Sequence, residues 1–138
     1  MSEKQVHWQP INALPLIGSM IDGLQDEVEK QCANLQACRP KPHVLDNHTI
    51  ARVIEVYCAQ AEDVRLYEEQ LSRWRNLTLT PAQREEVDRL AARIPTISKR
   101  ITAILVLAEE LKKGTIETLL AKSDLELGLE WLLGRSKP

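Results

Sequence analysis

The stretch Thr80–Gly114, TPAQREEVDRLAARIPTISKRITAILVLAEELKKG, decides how the rest of the chain must be arranged. Thr80 is a natural helix N-cap, Pro81 suits the first helical position, and Gln83 stands where a capping box needs it. Val87, Leu90, Ile94, Ile97, Ile101, Ile104, Ala108 and Leu111 follow at alternating spacings of three and four. That is a heptad seam, and it holds its phase until Lys112, Lys113 and Gly114, which read as a dipole-matched last turn and a terminating glycine. Pro95 interrupts the helix on its outer side, where it removes one backbone bond and bends the axis. The phase agrees on both sides of it, so one kinked, continuous helix is expected. Such a helix stands only against packed neighbours.

Those neighbours lie upstream. A second seam runs Leu14, Ile17, Ile21, Leu24, Val28, Gln31, Leu35 and Cys38, with Gly18 and Gly23 inside it as places where another helix would approach closely. Arg39-Pro40-Lys41-Pro42 ends it and leads into an extended connection. Asp46 then caps a third seam, with Leu45 and Ile50 placed as a hydrophobic staple. Its face is Ile50, Val53, Ile54, Tyr57, Ala61, Val64, Tyr67, Leu71 and Trp74. Gln31 and Gln60 hold comparable positions and either meet as a buried pair or sit in water at the edge.

After Gly114, Thr115 can cap a short helix, and Ser123 with Glu126 makes a second capping box. Leu125, Leu129, Leu132 and Leu133 form one face of this tail, and Leu127 and Trp131 lie roughly on the other. A helix apolar on more than one side is buried or meets a partner. Leu105, Val106 and Leu107 add apolar surface outside the main seam. The tail either folds back onto that patch or leaves Leu127, Trp131 and Val106 as anchors of an interface.

The expected fold is all-α: an antiparallel bundle of three long helices, at 11–38, 47–76 and 81–113, the third kinked at Pro95. A short C-terminal helical pair at 115–122 and 124–133 follows, and residues 1–10 form an N-terminal arm whose Val6 and Trp8, with Ile11, fold back onto one end. At 138 residues one domain is expected. The net charge of −2, the absence of Phe, and only 5 Gly and 7 Pro argue against low complexity and against many-turned β structure. No leader and no membrane span are expected, because the longest apolar run is short and is followed by Glu109 and Glu110. Three cysteines without framework spacing suit a reducing cytoplasm.

Motifs of catalysis are missing: no phosphate-binding glycine loop, no nucleophile elbow, no H-E-x-x-H. Asp22, Asp26 and Glu29, with Glu85 and Asp88, recur at helical spacing and read as solvated faces rather than Mg²⁺ ligands. Cys32, Cys38, His43 and His48 are spaced too widely for a structural zinc site, and the thiols read as buried small side chains. No metal and no cofactor are expected. Charge is uneven: between Arg73 and Arg100 seven Lys/Arg stand against three acidic residues, while residues 1–63 carry five Lys/Arg and nine Asp/Glu. The reading these features support is a non-catalytic cytoplasmic protein–protein interaction or assembly module that self-associates, a homodimer or a complex with a protein partner. The alternative is a small nucleic-acid-binding accessory protein that grips phosphate with Arg84, Arg89, Arg93 and Arg100.

Overall fold

The computed structural model describes residues 6–132, without the side chains at 123, 127, 130 and 131. Four α-helices follow one another: α1 Leu14–Cys38, α2 Asn47–Arg75, α3 Pro81–Lys112 and α4 Ile116–Leu132. Among the described residues there is no strand. Both capping devices form as the sequence implies. Asp46 accepts the Thr49 N–H at 2.7 Å, and at α3 the Thr80 hydroxyl accepts from the Gln83 N–H while the Gln83 side chain accepts from the Thr80 N–H. Pro95 lies inside α3 on its exposed side, so the carbonyl it deprives of a partner can bond to water and the helix carries on.

All eight seam positions of α3 are buried, and the helix serves as the common wall against which α1 and α2 both pack. Asp22 faces Arg89 and Glu29 faces Arg100, so α1 runs parallel to α3. Arg75 faces Asp88, so α2 runs antiparallel to it. The up-down-up bundle closes over Ile21, Val28, Ile50, Leu71, Trp74, Leu90, Ile97 and Ile104, each less than 2 % exposed.

The structure departs from expectation in several places. The connection after α1 holds a 3₁₀ turn at Pro42–Val44 instead of running extended, and Ile11–Ala13 forms another before α1 begins. Gln31 gives up its seam position to Cys32, which turns fully inward, and no hydrogen bond joins Gln31 to Gln60. Cys58 is exposed, not a buried thiol, because it stands one residue outside the α2 face on which Tyr57 is buried.

Gly23 meets no neighbour, whereas at Gly18 an added Cβ would lie 3.5 Å from Leu90 and 3.0 Å from a Glu86 carboxylate oxygen. Gly114 keeps its place for a steric reason instead of a left-handed backbone. An added Cβ there would fall 2.6 Å from Cγ of Pro42.

The largest departure is in the tail. The expected pair of short helices is one helix, Ile116–Leu132. Leu119-Leu120-Ala121-Lys122 and Asp124-Leu125-Glu126 contain neither Gly nor Pro. An interior serine costs only a few tenths of a kcal/mol, about a tenth of what nucleating a second helix would.

Candidate interaction surface

The tail helix begins on the bundle. Thr115, fully buried, caps α4 through the Thr118 N–H and also donates its hydroxyl to Asn47 at 2.6 Å. The Ile116 N–H bonds to the Leu45 carbonyl, and the Glu117 carboxylate accepts the Asn47 N–H. The start of α4 is thereby tied to the N-terminus of α2, which welcomes a carboxylate. Among the described residues the main packing partners of α4 are the Pro42–Val44 turn and α2, and the fold-back along Leu105–Leu107, one of the two expected alternatives, is not seen. Leu107 joins the core, Leu105 is half-buried, and Val106 stays 57 % exposed in a shallow groove with Thr102, Glu109 and Lys113.

Beyond its first turns α4 keeps its apolar side chains in the open. Leu125, Leu129 and Leu132 are 66 %, 51 % and 80 % exposed. With Gly128 they occupy positions i, i+3, i+4 and i+7, one continuous stripe of a helix about 25 Å long. An added Cβ at Gly128 would meet nothing, so the stripe has a notch at its centre open to a partner backbone. Leu120, 58 % exposed, lies on the other side. The side chains of Leu127 and Trp131, expected interface anchors, lie outside the described residues.

The basic residues are engaged within the chain. Arg89 reaches both oxygens of Asp22 at 3.1 and 2.9 Å and both oxygens of Glu86 at 2.7 and 2.9 Å. Arg93 meets Asp22 at 3.3 Å and Gln25, and Arg100 meets Glu29 at 2.6 Å. Hydrogen bonds from Arg89 hold the carboxyls of Asp22 and Glu86 below their usual range, and the same two carboxylates hold the guanidinium charged. Glu86 replaces the Glu85 that i,i+4 spacing points to, because Glu86 shares the α1-facing flank with Arg89 while Glu85 faces water. Of the four arginines named as phosphate contacts, Arg84 is exposed and makes no ion pair among the described residues. The acidic run of α1 and the basic run of α3 are two sides of one ladder flanking the seam.

The cysteine and histidine run is dispersed. Cys32 is buried, Cys38 half-buried, and His43 and His48 are exposed. Among the described residues no three Cys, His, Asp or Glu side chains come together as a metal site.

The polar contacts of the N-terminal arm have little forewarning in the sequence. The arm lies across the far end of α2, where Gln70 is buried at 5 % exposure. Gln70 accepts the Gln9 N–H at 2.7 Å and donates to the Gln9 carbonyl at 3.4 Å; the Trp74 indole N–H donates to the same carbonyl at 2.9 Å. Arg73 sits over the Trp8 ring, 4.3 Å from its centre. Val6, His7 and Trp8, with Ile17, Leu66 and Tyr67, line an open cavity beside this latch. Sequence periodicity places Trp74 on the core face but cannot show that Gln70, one turn earlier, turns inward to meet a backbone. The sole clue is a glutamine beside the seam that ends in Trp74.

No protein-family model, no curated protein and no solved structure matches the chain. No helix among the described residues is long and apolar enough to cross a membrane.

Proposed function

We propose that the chain is a non-catalytic helical assembly module of the cytoplasm that associates with a second copy of itself through α4. One observation carries this reading: Leu125, Leu129 and Leu132 form a stripe with no partner among the described residues, each more than half exposed, around the notch at Gly128. Monomeric proteins rarely leave such a contiguous row in water. At about 2 kcal/mol for each leucine fully buried, the stripe recovers roughly 4 kcal/mol per copy, or roughly 8 for a symmetric pair. Association itself costs about 4–15 kcal/mol, so the pair is moderate in strength and depends on protein concentration. Val106, on α3, is a further exposed apolar side chain.

The nucleic-acid alternative has less behind it. Arg89, Arg93 and Arg100 are held by carboxylates of α1 or of their own helix, and a phosphate would have to displace those partners.

Light scattering over a concentration series tests the assembly reading on the wild type and on Leu125→Asp with Leu129→Asp. A dimeric wild type and a folded double variant whose association is weaker are expected. A wild type that stays monomeric at every concentration overturns the reading, as does a double variant that unfolds or associates as tightly as the wild type.

A further inference from the structure

The latch on the N-terminal arm is a binding site in its own right. Gln70 is more than nine-tenths buried, and both of its polar atoms bond to the backbone of Gln9. The Trp74 indole N–H, on a side chain 1 % exposed, is satisfied by the same residue. Remove the arm and an amide and an indole are left among apolar neighbours without partners, an outcome proteins avoid. The pocket is therefore built for an extended backbone that offers one N–H and one C=O, and for an aromatic ring one residue earlier, which Arg73 covers.

What occupies it is held lightly. Residues 6–10 belong to no helix, and three hydrogen bonds and the Arg73–Trp8 stack are their polar ties to α2 among the described residues. Pro10, extended at φ −69° and ψ 161°, joins the arm to the bundle without contributing an N–H. The cavity beside Trp8 and Tyr67 shows that the arm does not fill its groove. A segment so attached opens locally, at the cost of the partners of Gln70 and Trp74, while the rest of the core stays packed.

We propose that this groove is a peptide-backbone-reading site and that its occupant in trans is the same arm of a second copy, exchanged about Pro10. Exchange preserves every contact of the latch, because the incoming residues are identical to those that leave. The choice of a second copy follows from the one ligand known to fit, the arm itself. The proposal does not rest on the α4 stripe.

Complementation between two full-length variants tests it, both carrying Leu125→Asp and Leu129→Asp so that α4 pairing plays no part. One has a disabled arm, Trp8→Ala with Gln9→Pro, which removes the ring and the N–H that Gln70 reads. The other has a disabled groove, Gln70→Leu. Each alone is expected to be monomeric by light scattering, while their mixture forms a one-to-one complex that disappears when both partners carry the disabled arm. Absence of that complex between folded partners overturns the proposal, as does a complex that survives in the arm-disabled pair.

A second measurement needs no variant: hydrogen exchange at the Trp74 indole in the wild type. Exchange on the order of 100-fold faster than the slowest α3 amides is expected if the arm leaves by itself. Exchange at the rate of those amides means the arm never leaves a folded bundle, and the proposal falls.

Discussion

Gly18 and Gly23 look alike in the sequence, Gly114 reads as a helix terminator, and the structure separates all three by what surrounds each Cα. Gly23 is a helix-interior glycine with open space around it. Gly23→Ala is expected to stabilise the fold by about 0.5–1 kcal/mol in urea denaturation, through helix propensity alone. Gly114→Ala drives a methyl group into the Pro42 ring, a rigid neighbour, and is expected to cost about 1–3 kcal/mol. Asp22 gives a pH signature. Its folded-state pKa is depressed by Arg89, so its contribution is present above the ordinary aspartate range and is lost as pH falls through the lower folded value. Asp22→Asn is expected to cost less than about 1 kcal/mol at neutral pH, since the pair is half-exposed. The difference from wild type should vanish in acid and shrink with added salt, and thermal melts across pH and ionic strength check both.

Among the elements, α3 was the most readable. Its cap, its seam and its passage through Pro95 all follow from local pattern, because a strict three-four repeat and a capping box are signals carried by residues near one another in the chain. Thr80→Ala is expected to cost about 1 kcal/mol, measured as a fall in the urea midpoint. Two of the departures, at Ser123 and Gln31, depend on information that is not local. Ser123 looks like an N-cap, but whether a serine ends or joins a helix depends on whether the residues before it already propagate one. Gln31 looks like a seam residue, but Cys32 takes the inward position, a rotation settled by packing against α3. The ion-pair ladder was visible only in halves. The acidic excess of α1 and the basic excess of α3 were both countable, yet which flank faces which is known only once the helices stand in parallel register. The latch at Gln70 left almost no trace, since its partner is a backbone and backbones carry no sequence.

At the level of the whole molecule, the bundle and the tail answer to different demands. The bundle satisfies itself: among the described residues no buried side-chain polar atom lacks a hydrogen-bond partner. The tail does not, and its leucines are what the assembly reading uses. Restoring helix contacts should matter less there than hiding apolar area, so Gly128→Leu is expected to weaken the dimer by closing the notch while raising helicity. Circular dichroism and sedimentation on the same samples separate the two effects.

Because α3 is the wall shared by α1 and α2, the core has no second half until α3 exists. On a ribosome adding about 5–20 residues per second, roughly 4–15 s separate the synthesis of Cys38 from that of Lys112. Throughout that interval Ile21, Leu24 and Val28 have nothing to lie against, and a lone helix of this length is marginal in water. The nascent chain therefore emerges as a sticky, half-formed polymer that condenses only once α3 has been made. The face of α1 is where a holding chaperone would find it.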